Sequence, residues 1–306
     1  MKFEYAIIVK NRTRLESLID RFNTKAQAKF YIERSGGDFE DYVREHETFH
    51  ASLLSLQTQL SAVIKNKLVE RNFLPSFIFA ENNFIVVIGQ DGLVANTAKY
   101  SRGLPIVAVN PDVARYDGVL LPFNDGDFMA GVQRVLAGQY QVRTVRFAEA
   151  QLNDGHRLLA FNDLFIGASS HVSARYKISY GDKVEEQSSS GLIVSTQAGS
   201  TGWLSSIFNM AYGVTGMFET GLKPKRPKLT DEQLLFAVRE PFKSKRSGIG
   251  ITAGILKSGS KLTVESLMPS NGIIFSDGIE ADFLQFNSGA IATIGIAKET
   301  ALLVEK

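Results

Sequence analysis

The chain has 306 residues, 44% hydrophobic and 22% charged, with a formal net charge of +2. That composition buries a sizeable core, and the near balance of charge excludes a global field that recruits nucleic acid or a membrane surface. It contains no cysteine, which excludes disulfides, thiolate zinc sites and cysteine nucleophiles.

The opening "MKFEYAIIVKNRT" does not read as a signal peptide. Its apolar core is too short, and charge returns at Lys10 and Arg12. No uninterrupted apolar run reaches about 18 residues, so no membrane span is expected. "YAIIVK" predicts a buried strand that closes in the polar turn "NRTR". Phe49, Leu53, Leu56, Leu60, Val63, Ile64 and Leu68 recur at three-four spacing and predict one face of a long helix. "SFIFA" predicts a short strand, and "FIVVIG" a buried one that runs straight into Gly89-Gln90-Asp91-Gly92. "LPIVAVNP" is a further apolar strand, closed by Asn110-Pro111. Strand, helix, strand in this order implies a parallel sheet flanked by helices. Ligands of such sheets lie beyond the strand C-termini, which makes 89–92 and 110–112 candidate contacts.

The pattern changes near Arg143. From there to about Glu265 come short alternating segments between Gly, Ser and Asn turns, among them "TVRFAEAQL", "ARYKISY", "LIVST" and "KLTVESL". These predict an antiparallel β domain that meets the first near residue 145. There is no low-complexity linker and no internal repeat. "KPKRPK", 223–228, reads as a basic loop broken by proline, without the interleaved aromatics of a nucleic-acid surface.

Four stretches carry chemistry. In Gly89-Gln90-Asp91-Gly92 the glycines let backbone N–H groups approach a phosphate, with the positive end of a helix dipole at the turn. The carboxylate between them suits a metal ion, or a hydroxyl that must lose its proton. A purely structural turn has about equal weight. In "SSSGLIVSTQAGSTGW" a strand enters Gly199-Ser200-Thr201-Gly202, whose hydroxyls and N–H groups suit phosphate or ribose oxygens. A hairpin, or a helix cap by Ser200 or Thr201, is the plainer alternative. Asn162-Asp163 lies in an apolar run, where polar groups are costly unless satisfied. It reads as a ribose or amide contact, or as an Asx turn. Ser276-Asp277-Gly278 reads first as a hairpin turn. "HETFH", His46 to His50, matches a zinc-protease pattern, but His156 and His171 offer no third ligand at short spacing, so zinc hydrolysis is set aside. "GILKSGSK", from Gly254, resembles a phosphate loop but lies among strands.

Taken in order, these blocks resemble the NAD kinase family. Gly89-Gln90-Asp91-Gly92-Leu93 is similar to its Gly-Gly-Asp-Gly-Thr turn, Asn162-Asp163 to its Asn-Glu pair, and Thr196 to Thr201 to its Gly-Ser-Thr turn. "VVIGQDG", "PIVAVNPD", "GVLLPF" and "FNDLFIGASSHVSARYKISY" resemble the mitochondrial-type branch, as does "KNRTR" after the first strand. The likeness covers most of the chain, with the helix over 49–70 matched only in character.

The resemblance implies an α/β N-terminal domain with a parallel sheet, residues 1–145, joined by the segment 283–306. It implies a mainly antiparallel β domain over 146–282, with the active site between the two. It also implies transfer of the ATP γ-phosphoryl group to the adenosine ribose 2′-hydroxyl of NAD, giving NADP, with Mg²⁺. Asp91 matches the aspartate that activates that hydroxyl or holds the metal. Gly89, Gly92, Asn162, Asp163, Ser190, Thr196, Gly199, Ser200, Thr201 and Trp203 match positions lining the nucleotide sites. Arg12 and Arg14 are implied phosphate contacts. A homodimer or tetramer follows from the likeness, with no nucleic-acid or membrane partner, and a cytoplasmic location is expected.

Four positions depart from the family pattern. Gln90 replaces a glycine and Leu93 a threonine, both on the implied ATP side. Ser190 stands where most bacterial members have aspartate, and Trp203 where tyrosine is common. Gln90 and Leu93 leave open a weak kinase, an altered phosphoryl donor or a non-catalytic NAD(P)-binding protein, and the 89–92 turn, of a type shared with related kinases, leaves open a kinase of a lipid or sugar hydroxyl.

Overall fold

The computed structural model describes residues 2–218 and 226–306, so residues 223–225 of the basic loop lie outside the described residues. The chain divides into two compact units, Met1–Thr144 with Ala301–Lys306, and Val145–Thr300. The return to the first unit thus begins at Ala301 rather than near residue 283. The intervening stretch is held in the second unit by strand pairing, Ile273 with Gln285 and Leu262 with Ile294.

The first unit is built on a parallel sheet. Strands β1 (Tyr5–Lys10), β2 (Lys65–Glu70), β3 (Asn83–Ile88) and β4 (Pro105–Asn110) lie in the order β2-β1-β3-β4, all parallel. The short β5 (Phe123–Asn124) and the chain end, Leu302 and Leu303, also pair with β4 in parallel. Every residue of β3 and β4 is buried, which explains the unbroken apolar runs: a sheet covered on both faces has no polar side. Ala6, Ile8, Val86, Ile88, Val107 and Val109 form one face of the core. Against it pack Phe49, Leu53, Leu56 and Leu60 of one helix and Phe128, Val132 and Val135 of another.

The helices are α1 (Arg14–Phe22), α2 (Lys25–Arg34), α3 (Phe39–Ser61), α4 (Asp91–Ala98) and α5 (Phe128–Ala137). Helix α3 starts ten residues before the predicted apolar face, because the Asp38 carboxylate accepts from the N–H of Glu40 and caps it there. It ends at Ser61 instead of continuing through Leu68. The N–H groups of Val63 and Ile64 turn back onto the Leu60 carbonyl, and Leu68 enters β2. "SFIFA" is not a strand: Ser76 ends a 3₁₀ turn, Arg71–Ser76, and Ile78 is exposed.

The second unit contains β6 (Val142–Leu152), β7 (Arg157–Ala160), β8 (Asp163–Ala168), β9 (Ala174–Tyr180), β10 (Lys183–Ser189) and β11 (Leu192–Ser195). After helix α6 (Trp203–Gly216) follow β12 (Gln233–Val238), β13 (Ala253–Lys257), β14 (Leu262–Ser266), β15 (Gly272–Ser276), β16 (Ile279–Gln285) and β17 (Ile291–Val304), whose residues from Ala301 belong to the first unit. A six-stranded antiparallel sheet runs β13-β12-β11-β8-β15-β16, and β9 pairs with β10 and β14. Leu164, Ile166, Leu192, Val194 and Phe236 share one large core with Tyr176, Ile178, Leu262 and Val264. Helix α6 follows the 198–201 turn, so of the two structural alternatives there the structure has a helix and not a hairpin. Its Leu204 packs with Leu229, Leu235 and Ala237 in a satellite core. No helix among the described residues is long and apolar enough to cross a membrane.

Candidate functional site

In the first unit, Lys10, Ile88 and Val109 are in register across β1, β3 and β4. The turns that leave these strands therefore emerge at one edge of the sheet, the C-terminal edge where parallel sheets take ligands. Gly89 has φ +155, and a β-carbon there would lie 3.0 Å from Leu93 Cδ2. Helix α4 begins directly at Asp91. The carboxylate stands in its first turn, beside N–H groups that have no partner within the helix. Asp91 Oδ1 accepts a hydrogen bond from the Leu120 N–H at 2.7 Å. One oxygen is thus used to hold the loop over 111–122.

That loop is ordered from within. Asn110, 5% exposed, donates from Nδ2 to the Tyr116 carbonyl at 3.0 Å and accepts from the Asp112 N–H. The Asp112 carboxylate accepts in turn from the N–H groups of Ala114 and Arg115. Tyr116 hydrogen-bonds Gln90, and burial raises its phenol above the ordinary value. Asn110 and Asp112, candidates by their place in the sheet, thus shape the loop that touches Asp91.

Gln90 is exposed, whereas Leu93 is 5% exposed and lies over Gly89. The side chain at position 93 packs inward instead of facing a ligand. Leu93→Thr is therefore expected to destabilise the chain by about 2 kcal/mol, since it removes buried methyl groups and buries a hydroxyl. Denaturant unfolding measures this, and no gain in phosphate affinity should accompany it.

The two arginines of the first turn are occupied. Arg12 pairs with Asp20 and Glu70, and Arg14 with Asp41 and Glu45. Asp41 also takes the Arg115 guanidinium, and these hydrogen bonds hold its carboxyl well below the usual range. A phosphate reaching Arg12 or Arg14 competes with these carboxylates for the guanidinium.

In the second unit, Asn162, Asp163, Thr196 and Gly199 come together. The Thr196 hydroxyl donates to the Phe161 carbonyl at 2.6 Å and accepts from the Gly199 N–H at 3.2 Å. A β-carbon at Gly199 would lie 2.2 Å from the Asn162 carbonyl oxygen, so only glycine lets these two backbones meet. Ser200 and Thr201 complete the 3₁₀ turn 198–201 that leads into α6. The Ser200 hydroxyl donates to the Gln197 carbonyl at 2.6 Å.

Asp277, read from the sequence as hairpin chemistry, does more. With Gly278 it makes the expected two-residue turn, φ +55 and +69. Its carboxylate also accepts from the N–H groups of Phe161, Asn162 and Asp163, at 3.1, 2.6 and 3.3 Å. No local signal could have shown this, because the partners lie more than 110 residues away. Asp163 is 7% exposed. Burial, and secondarily the charge of Asp277, push its carboxyl up to about 7.

The ordinary value for Asp163 is 3.8. The folded chain therefore holds an extra proton between about pH 4 and 7, and this contribution to stability is lost as pH rises through that window. Asp163→Asn lacks the titration. In thermal melts across that range, the variant should gain a few kcal/mol on the wild type.

Trp203 stacks on Phe165, with centroids 5.7 Å apart and planes 9° from parallel, and Phe165 stacks on Phe275 at 4.8 Å. The Arg239 guanidinium lies 5.3 Å from the Trp203 ring centre. These four residues line a cavity of about 600 Å³ together with Phe283. Ser190 is exposed, and its N–H donates to the Arg239 carbonyl. Phe165, Phe275 and Arg239 went unnoticed in the sequence because each reads there as ordinary strand residues.

An α/β unit with a carboxylate at the head of a glycine-turned helix, followed by an antiparallel unit, defines the two-unit fold of the chain. Two solved structures share it. Yeast NADH kinase in complex with NADH matches with a TM-score of 0.62 at 13% identity, over 100% of this chain and 84% of its own. An NAD kinase from Archaeoglobus fulgidus in complex with ATP matches with a TM-score of 0.54 at 17% identity, over 99% and 94%. In sequence, the chain is 34% identical over 129 residues to an NAD kinase of Heliobacterium modesticaldum. It is 29% identical over 149 residues to a bifunctional NADP phosphatase/NAD kinase of Methanococcus maripaludis. The matched stretches cover 40% and 46% of this chain, and 44% and 26% of those relatives' own lengths. No protein-family model matches. The chain is thus similar to NAD kinases in fold over its whole length and in sequence over part of it, and it spans less than half the length of these two curated relatives.

Proposed function

We propose that the chain transfers the γ-phosphoryl group of ATP to the 2′-hydroxyl of the adenosine ribose of NAD, giving NADP. Phosphoryl transfer asks a protein for alignment and charge neutralisation more than for covalent help. The observation that carries the reading is Asp91. It is a partly buried carboxylate at a parallel strand's C-terminal turn, with Oδ1 fixed by the Leu120 N–H. In this reading Oδ2 accepts the ribose hydroxyl proton or binds the metal ion. The α4 N–H groups and the flexible Gly89 and Gly92 approach phosphate oxygens. Within the second unit, Asn162, Asp163, Thr196, Gly199, Ser200, Thr201, Ser190 and Trp203 are the dinucleotide contacts of this reading.

Mg²⁺ fits the donors present. It binds through one or two carboxylates plus phosphate oxygens and water, and Asp91 offers one such oxygen. When bound, it neutralises charge on the transferring phosphate. Assembly as a dimer or tetramer, a cytoplasmic location and the mitochondrial-type branch belong to the same proposal, the branch supported by "FNDLFIGASSHVSARYKISY".

NADP formation from NAD, ATP and Mg²⁺ tests the reading. A second reading, NAD(P) binding without transfer, is favoured by Gln90, whose exposed side chain stands at the turn in place of hydrogen. Thermal stabilisation by NAD with no NADP formed would select it. Absence of binding by both NAD and NADH would remove both.

A further inference from the structure

We propose that Glu16, His46 and His50 form a binding site for a first-row divalent cation of the zinc class, clamping α1 to α3 in the first unit. One ligand atom from each of the three residues lies within 4.8 Å of the others. His46 and His50 are four apart on α3, which puts both rings on one helical face with centroids 4.3 Å apart. Glu16 comes from the first turn of α1 and faces His50 Nε2 with Oε1 at 3.0 Å.

The division of labour within Glu16 favours a ligand role. Its Oε2 accepts from the Thr13 N–H at 2.7 Å, completing the capping box of α1. That bond survives when Oε1 alone turns to a metal. Thr13 also orients the first ring, with Oγ1 2.9 Å from His46 Nδ1, as outer oxygens do around metal-bound imidazoles. Two imidazoles and one carboxylate oxygen select zinc-like ions over Mg²⁺, and leave a coordination position for water.

Lys10 opposes a cation, since its ammonium is 3.8 Å from Glu16 Oε1. It has a second partner in Glu70 at 3.5 Å, which keeps it paired when Glu16 binds metal. The donors must close to roughly 3.3 Å for tetrahedral geometry. His50 and Glu16 are 38% and 26% exposed at their side chains, so both have room to rotate. The role is a clamp rather than hydrolysis. Glu47, the general base of the sequence pattern, is exposed to solvent.

Titration calorimetry of the full chain with Zn²⁺, without nucleotide, tests the site. One equivalent should bind, and Tm should rise by at least about 2 °C. His46→Ala and His50→Ala should each lose at least about tenfold in affinity, and Glu47→Ala none. Glu16→Gln retains the cap but weakens the metal, which separates ligation from folding. On the wild type alone, Co²⁺ absorption should show a low-coordinate nitrogen-oxygen site. The proposal is overturned if no equivalent of Zn²⁺ binds, or if binding survives in both histidine variants.

Discussion

Asp91→Asn is expected to lower the rate of NADP formation by about 10²–10⁴-fold, with the fold unchanged. The substitution is informative because asparagine keeps an oxygen that accepts from the Leu120 N–H, as Asp91 Oδ1 does at 2.7 Å. The loop over 111–122 and the start of α4 should therefore hold their places. What is lost is the negative charge and the basic second oxygen. A drop in turnover with NAD affinity and Tm preserved identifies the carboxylate as the group that acts on the hydroxyl or the metal. Equal activity in the variant, measured by coupled NADP assay under saturating ATP and Mg²⁺, would remove Asp91 from the chemistry.

Gly199→Ala should damage the second unit's site through a single methyl group. Its β-carbon would come within 2.2 Å of the Asn162 oxygen and 2.6 Å of the Asn162 carbonyl carbon. Both are backbone atoms and cannot rotate aside. The expected cost is about 3 kcal/mol, at the upper end for overpacking. The strain falls where Thr196 joins 161–162 and where Asp277 gathers the N–H groups of 161–163. NAD affinity should therefore fall along with Tm. Ser200→Ala is the control, because it removes only a hydroxyl bond to the Gln197 carbonyl and should cost about 1 kcal/mol or less. A Gly199→Ala protein within 1 kcal/mol of wild type in denaturant unfolding would mean that the two segments are not held as described.

The Asp91 turn was legible in the sequence because its signals are local. A buried strand, two glycines and a helix start fall within fifteen residues. The strands of the second unit were legible for the same reason, through alternation at period two. Helix α3 was misjudged at both ends, because Val63, Ile64 and Leu68 continue the helical spacing by chance while their backbone turns into β2. Helix α6 was left open between a helix cap and a hairpin, because the surrounding β pattern admits either after the 199–202 turn. Asp277 was undervalued because an Asp-Gly hairpin accounts for its sequence fully.

By itself the sequence determined the strand-to-helix turn that presents Asp91, the alternation that makes the second unit a sheet, and the ordered set of motifs that resembles the NAD kinase family. Periodicity and turn chemistry act between near neighbours, so a linear reading captures them. Only the tertiary structure decided that Asp277 anchors the backbone at 161–163, that Gly199 must be glycine, that Leu93 points inward, and that Glu16 meets His46 and His50. Each of these depends on groups from distant segments competing for the same few ångströms, and that competition is settled only when the chain is packed.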